Sequence, residues 1–420
     1  MKISVSTLGC KVNLYDSESI ASELINAGFS YAKDGEEADV YIINTCAVTN
    51  ESERKCRQLI RKTHSLHPDA LIVVTGCYSE TRREEVEKID GIGVITGTSD
   101  RHDTARLIIE HFGGNAGEGD ENEFSMVTTF ENRTRAVIKV QDGCRMFCKY
   151  CIIPYARNRM ISADADEVTG QVKEIIKSGF REITLTGIHL ASYRDKNGNK
   201  LIDLIEKIGN ETSLERLRLG SLEPRLLTED FLRRLRNVGC VCPHFHLSLQ
   251  SGCDKTLKNM GRHYSADEYY NIVKLLREYF PESTITTDVI VGFPGVTEDD
   301  LAESMDFVEK IAFSHVHVFP FSPKKGTPAH DYDDQIPQKE KKRRVGVMSA
   351  AADRGRTVAL SEMMGKTHKV LFEEKNAEGL WVGYSENYVL FAVESEDDLS
   401  NKILDVRAEK LCKEYISGKI

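Results

Sequence analysis

Apolar and polar positions alternate regularly along the first hundred residues. Apolar runs at 3–8, 40–44 and 71–75 are each followed by a polar-headed segment with apolar residues at helical spacing. In the first such segment, 16–28, the apolar positions are Ile20, Ala21, Leu24 and Ile25, and Gly28 supplies the stop. Strand, helix and strand at this spacing predict a doubly wound parallel sheet over 1–112. The stretch GGNAGEGDENE, 113–123, has no apolar period and opens a linker expected over 113–129.

From 130 to 336 the alternation resumes. Six strand candidates lie at 136–140, 183–187, 216–220, 245–249, 285–292 and 315–319, with helical stretches such as 167–178, 201–208 and 301–311 between most of them. Six βα units predict a partial (β/α)6 barrel, because a full eight-unit TIM barrel takes ~250 residues. Residues 337–365 read as a basic-headed helical connector. The last part, 366–420, holds the short alternating runs THKVLFEE, LWVGYS and NYVLFAV, which predict a small β-barrel. The expected fold class is α/β with a small β-barrel at its end.

Composition narrows the function. A chain of 420 residues, 40% apolar and 29% charged, suits several globular cores and excludes a disordered or collagen-like chain. No apolar run approaches the ~20 residues of a membrane span, and the start MKISVSTLGCKVN lacks a signal-peptide layout. The expectation is a cytoplasmic protein with no membrane partner. Lys and Arg number 56 against 66 Asp and Glu, a net charge of −10 that excludes a globally basic nucleic-acid coat. Local basic stretches remain as candidate RNA faces at 54–62, at 339–344 and at Arg233, Arg234 and Arg236. No G-x-G-x-x-G or phosphate-cradling loop follows any strand, which argues against a nucleotide-binding enzyme of those kinds.

Eleven cysteines, odd in number, do not make a disulfide framework. Cys144, Cys148 and Cys151 crowd into GCRMFCKYC just after a predicted strand, and three soft ligands on one loop select zinc or an iron–sulfur cluster. Structural zinc takes a fourth protein ligand, yet no other Cys or His lies between Cys151 and His189. Three ligands suit a four-iron cluster with one iron left open. Cys10, Cys46 and Cys77 each follow a strand of the first region. Parallel strands put their carboxyl ends on one edge of a sheet, where open α/β folds bind ligands. The competing reading is three small buried residues at crowded strand ends. Cys56 shares a helix with Leu59 and Ile60 and reads as core, while Cys240, Cys242, Cys253 and Cys412 lack converging partners and read as structural.

The C-x3-C-x2-C pattern, with Tyr150 before its third cysteine and a run of βα units behind it, resembles the radical S-adenosylmethionine superfamily. There the open iron is chelated by the amino and carboxylate groups of S-adenosylmethionine, whose cleavage gives a 5′-deoxyadenosyl radical. The resemblance implies Cys144, Cys148 and Cys151 as ligands of that 4Fe–4S cluster and Tyr150 beside the adenine. It also implies cofactor contacts at strand ends, at Gly187 and Gln250 and around Val291 and Gly292. With TLGCKVNLYDSE at 7–18, the two cysteine sets together are similar to the methylthiotransferases over essentially the whole chain. That family implies a second 4Fe–4S cluster on Cys10, Cys46 and Cys77 and a terminal barrel called TRAM.

The segments GCKVN, SLQSGCDKTL and HVFPFSPKKGTPA most resemble the MtaB-type branch. Its implied substrate is tRNA, methylthiolated at C2 of N6-threonylcarbamoyladenosine at position 37. Other branches act on isopentenyladenosine or a ribosomal protein, and a nonenzymatic RNA-binding protein with structural metal sites is a remoter alternative. Two features depart from the family. Arg157-Asn158 stands where relatives read Arg-Gly, and 366–420 holds 8 Lys and Arg against 11 Asp and Glu. Phosphate contact needs cations, so this balance moves the expected RNA contact away from the terminal barrel. Neither an electron donor, a sulfur source nor an oligomeric state is implied.

Overall fold

The computed structural model describes residues 1–33, 35–115, 124–128, 130 and 133–420. The first sheet has five parallel strands: β1 (Lys2–Thr7), β2 (Ser30–Tyr31), β3 (Val40–Thr45), β4 (Leu71–Gly76) and β5 (Val94–Ile95). Their order is β2-β1-β3-β4-β5, so the chain winds outward from β1 in both directions. Alternation in the strands feeds two cores. Ile42 and Val73 pack with Leu24 and Ile108 on one face, whereas Ile43 and Val74 pack with Cys56 and Ile60 on the other.

The first helix runs Lys11–Asn26, starting earlier than the expected residue 16. Gly9 turns the chain at φ +116 and Cys10 takes the N-cap in an extended conformation. Asp16 and Ser17, which read as a start signal, are instead buried and used in tertiary hydrogen bonds: Ser17 Oγ lies 2.7 Å from Thr7 Oγ1 and accepts from Asn44 Nδ2 at 3.0 Å.

Part of the expected linker, 116–123 and 129, lies outside the described residues. The stretch 124–128 is packed rather than free, with Val127 buried and its carbonyl accepting from Gln171 Nε2 at 2.8 Å.

The central strands are β6 (Ala136–Asp142), β7 (Ile161–Ser162), β8 (Glu182–Gly187), β9 (Arg216–Leu219), β10 (His244–His246), β11 (Thr284–Val291) and β12 (His315–Pro320). Six of them run parallel in the order β6-β8-β9-β10-β11-β12, with single bridges such as Leu217 to Val241 closing the step from β9 to β10. The short β7 pairs antiparallel with β6. The fourth strand is shorter than the expected 245–249, because Leu247 and Gln250 contribute isolated bridges to Leu222 and Val289 instead. Helices Ala165–Lys177, Leu201–Glu211, Glu229–Arg236, Ala266–Tyr279 and Glu298–Ile311 accompany these strands, giving a partial (β/α)6 barrel.

A 24-residue helix, Gln338–Ser361, packs on β12 and leads to the last unit. There β13 (Thr367–Lys375), β14 (Trp381–Ser385), β15 (Leu390–Val393), β16 (Ile403–Leu411) and β17 (Ile416–Lys419) close into a barrel in the order β13-β14-β15-β17-β16. Val370, Phe372, Trp381, Phe391 and Val406 fill it.

Arginines on β9 dock this barrel. Arg216 Nη1 donates to the Tyr384 carbonyl at 3.1 Å, and Arg218 donates to the carbonyls of Ser385 at 2.6 Å and Glu386 at 2.9 Å. Glu182 on β8 neutralises both arginines; burial alone would raise its pKa, but Arg218, Arg135 and Arg216 outweigh burial and hold it low. Among the described residues no helix is long and apolar enough to cross a membrane.

Candidate active site

Cys10, Cys46 and Cys77 follow the carboxyl ends of β1, β3 and β4. Gly9 lets the first two come together: a Cβ on it would lie 3.1 Å from Cys46 Cβ and 3.3 Å from Cys46 Sγ, at a φ that disfavours side chains. Asn13 gathers the set. Its Oδ1 is 3.9 Å from Cys10 Sγ and 3.8 Å from Cys77 Sγ, while its Nδ2 donates to the carbonyls of Leu8 and Thr45, each at 2.9 Å.

Arg157 completes this end of the site. It is buried, and it donates from Nε to Cys77 Sγ at 3.4 Å and from Nη2 to Asn13 Oδ1 at 2.9 Å. It also pairs with Asp16 and Asp142, both at 2.7 Å, and Lys139 joins the same two carboxylates at 2.7 and 3.2 Å. Burial alone would raise Asp16, but Arg101, Lys139 and Arg157 overcome it and hold the carboxyl low. The Arg157-Asn158 departure therefore begins inside a buried ionic network between the first helix and β6, with Asn158 exposed beyond it.

The second set lies on the loop after β6. Gly143 has φ +84, and a Cβ there would lie 1.9 Å from the Arg159 carbonyl oxygen, so the loop closes on the returning chain. Met146 N–H donates to Cys144 Sγ at 3.4 Å and Arg262 Nη1 to Cys148 Sγ at 3.5 Å, while Cys151 N–H donates to the Cys148 carbonyl at 3.0 Å. Arg262 is itself held by Glu223 at 2.6 Å.

Burial pushes Cys77 and Cys151 up to about 12 and raises Cys46 and Cys144. Buried thiols of this kind are inert unless a positive centre draws out the thiolate. Among the described residues no three His, Cys, Asp or Glu converge on single-ion geometry. Each set instead offers three thiols, with N–H donors aimed at Cys77, Cys144 and Cys148, and that donor set fits an iron–sulfur cluster.

Both sets meet one cavity of about 760 Å³. Cys10 lines it from the first sheet, and Cys144, Cys148 and Cys151 line it from the barrel, with Cys46 and Cys77 buried behind Cys10. Gly187 and Gln250 also face it. A Cβ on Gly187 would stand 3.0 Å from Gln141 Cβ, and Gln250 adopts φ +69, a conformation rare for a residue with a side chain.

Tyr150 is not on the cavity wall; it packs with Met260, Phe293 and Phe321. Val291 and Gly292 are also off the wall, with Gly292 facing Lys341 of the long helix. Lys11, Glu223, His244, Arg262 and Tyr388 line the cavity without having been anticipated. The adjacency of Lys11 to Cys10 in GCKVN was a usable signal, but Arg262 and Tyr388 come from a turn and the terminal barrel, outside strand-end logic. Burial lowers the pKa of Lys11.

The basic stretches are largely consumed internally. Arg343 and Arg344 pair with Glu298 and Glu340, Arg234 with Asp203 and Glu206, Arg233 with Asp230, and Arg54 with Glu51. Arg236 sits over Phe280, and Lys341 is buried. Lys55, Arg61 and Lys62 remain exposed on helix Asn50–Leu66.

Residues 138–308 match the Radical SAM superfamily, and residues 2–97 match Uncharacterized protein family UPF0004. Threonylcarbamoyladenosine tRNA methylthiotransferase MtaB of Bacillus subtilis is 34% identical over 433 residues, covering 99% of this chain and 96% of that relative. The chain belongs to the radical S-adenosylmethionine methylthiotransferase family. Another relative is the tRNA-2-methylthio-N(6)-dimethylallyladenosine synthase of Endomicrobium trichonymphae, 33% identical with 89% of each chain covered. The radical S-adenosylmethionine methyltransferase TsrM from Kitasatospora setae shares the fold, with a TM-score of 0.55 at 15% identity over 78% of this chain and 77% of that one. As a methylthiotransferase, the protein takes S-adenosylmethionine and 4Fe–4S clusters as cofactors.

Proposed function

We propose that this protein transfers a methylthio group to C2 of N6-threonylcarbamoyladenosine at position 37 of tRNA in the cytoplasm. The observation that carries this reading is the shared cavity, which Cys10 enters from one side and Cys144, Cys148 and Cys151 from another. An adenine bound in this cavity is within reach of both cysteine sets. The C2 hydrogen is not acidic enough for removal by a side-chain base. When bound, S-adenosylmethionine and the clusters supply radical activation of that C–H bond and the sulfur and methyl that replace its hydrogen.

The protein's own residues bind and exclude. Cys144, Cys148 and Cys151 hold one cluster, and Cys10, Cys46 and Cys77 the other. Gly187 and Gln250 shape the barrel wall against the cofactor, and Tyr150 supports the three-cysteine loop from behind through Met260 and Phe293. Arg262, neutralised by Glu223, fixes the position of Cys148. The terminal barrel adds Tyr384 and Tyr388 to the cavity wall and so narrows the access of water to the reacting centre. The target base lies in an anticodon loop, unpaired and free to be splayed into the site. In this reading the functional parts are 1–112, a linker at 113–129, 130–336, a connector at 337–365 and 366–420.

Nucleoside mass spectrometry of tRNA from cells with and without the gene tests the assignment. Loss of 2-methylthio-N6-threonylcarbamoyladenosine on deletion, and its return with the wild-type gene, is the expected result. Loss of the 2-methylthio isopentenyl nucleoside instead would move the protein to the branch of its dimethylallyladenosine relatives.

A further inference from the structure

The wall of the cavity where the first helix meets the terminal barrel has an unusual composition. Lys11, the first residue of helix Lys11–Asn26, extends until its Nζ stands 5.8 Å from the ring centroid of Tyr388 on the terminal barrel. Among the described residues no carboxylate lies within ion-pair reach of that ammonium. Glu182, a carboxylate near enough to act on it electrostatically, is taken by Arg218 and Arg216. The other cavity cations are engaged: Arg262 by Glu223, and Arg356 by the carbonyl of Lys413 at 3.2 Å.

His244 supplies an independent observation. It is 6% exposed, faces the same cavity and stacks on the other partner of Lys11, the Tyr388 ring, at 4.8 Å between centroids. Its Nε2 is satisfied by Thr286 Oγ1 at 3.0 Å, but its Nδ1 has no hydrogen-bond partner. A buried ring nitrogen left unpaired is costly to the fold unless a ligand fills the position. An unshared ammonium and an unsatisfied imidazole nitrogen thus adjoin one tyrosine ring, on the wall of the cavity that both cysteine sets reach.

We infer that Lys11 receives the carboxylate of an anionic side chain carried on N6 of the target adenine and sets the preference for that side chain, with His244 meeting the hydroxyl beside that carboxylate. The inference rests on the proposed threonylcarbamoyladenosine substrate. An isopentenyl arm has no charge, and an ammonium desolvated against it would lose its hydration for no return. A threonylcarbamoyl arm brings both a carboxylate for Nζ and a hydroxyl within the reach of an imidazole nitrogen.

Equilibrium binding, rather than turnover, tests the inference. Anticodon stem-loops carrying threonylcarbamoyladenosine, its methyl ester, isopentenyladenosine or plain adenosine at position 37 are titrated into anaerobic, cluster-loaded protein. The wild type is expected to prefer the free acid over the ester by roughly tenfold to a hundredfold, the range of one charge-assisted hydrogen bond. Lys11→Gln should abolish that preference without weakening the plain-adenosine loop to the same degree. Lys11→Arg should keep most of the preference and so controls for folding, while His244→Phe should weaken the free acid and the ester alike, since both carry the hydroxyl.

If the wild type does not distinguish the threonylcarbamoyl loop from the others, the substrate reading itself fails and the inference falls with it. If the wild type discriminates and Lys11→Gln discriminates equally, the inference alone is wrong. Uniform weakening of all four loops would assign Lys11 to backbone phosphate and overturn the inference too. Loss of discrimination in Arg356→Gln but not in Lys11→Gln would place the carboxylate at the long helix instead.

Discussion

Arg157 Nε donates to Cys77 Sγ at 3.4 Å, joining the chain that leaves the three-cysteine loop to a cysteine at the edge of the first sheet. The same guanidinium closes on Asp16 and Asp142. Removing one member of a buried ionic network leaves its partners uncompensated, at a cost of about 3–5 kcal/mol. Arg157→Leu should therefore lower the thermal midpoint of the anaerobic protein markedly, and Arg157→Lys should fall between it and the wild type. An unchanged midpoint for Arg157→Leu in calorimetry would show that the network does not hold the two parts together.

The cysteine sets should separate in single variants. Cys148→Ala is expected to abolish S-adenosylmethionine cleavage, read as 5′-deoxyadenosine by chromatography. Cys46→Ala should leave uncoupled cleavage and lose methylthio transfer. Cys56→Ala should retain cleavage and lower transfer far less than Cys46→Ala, because Cys56 Sγ reaches Cys46 only through its main chain, accepting from its N–H at 3.4 Å and donating to its carbonyl at 3.7 Å. Full methylthiolation by Cys46→Ala would defeat the assignment of the second set.

Acid should expose one helix cap. Burial would raise Asp300, but Lys255 at 2.8 Å and the Thr297 N–H at 2.8 Å overcome it, and the carboxyl is held down to about 2. A depressed folded-state pKa gives stability that is present above the ordinary carboxylate value and disappears as pH falls through the folded value. Lys255 is 55% exposed, so solvent screening trims the contribution to about 1 kcal/mol. The difference in urea midpoint between wild type and Asp300→Asn should thus be largest at pH 7 and shrink between pH ~4 and ~2.

Arg218→Met should loosen the terminal barrel. The change removes donors to the carbonyls of Ser385 and Glu386 and leaves Glu182 with weaker compensation. Limited proteolysis near the join between the long helix and β13 should speed up by roughly tenfold or more. An unaltered cleavage rate would mean that apolar contacts alone hold the barrel.

Much of this architecture was legible because it is periodic. The strand runs, the helix spacings and the C-x3-C-x2-C loop are local patterns, and the placement of Cys10, Cys46 and Cys77 follows from parallel strands ending on one edge. The helix start was misread because Asp16 and Ser17 have the chemistry of a cap, while their actual partners, Arg157 and Asn44, are distant in sequence. The basic runs likewise have partners that no local pattern shows, since Glu298 and Asp203 pair with Arg344 and Arg234 from other helices. Tyr150 shows a finer limit. Its position in the motif is plain, yet which way its ring turns depends on Phe293 and Phe321, more than a hundred residues away.

The docking of the terminal barrel has an evolutionary corollary. Arg216 and Arg218 grip main-chain oxygens at Tyr384, Ser385 and Glu386 and so follow the path of the backbone, while Arg218 also lies 4.9 Å from the Tyr388 ring centroid and so reads one side chain. Ser385 is held in place, because it is buried and its Oγ accepts from the Val389 N–H at 3.2 Å, and the exposed residues on the far side of the barrel are the ones left to drift. Only the far side of the barrel is in this sense interchangeable: its surface charge can change while the hairpin that meets β9 and supplies Tyr388 to the cavity stays as it is.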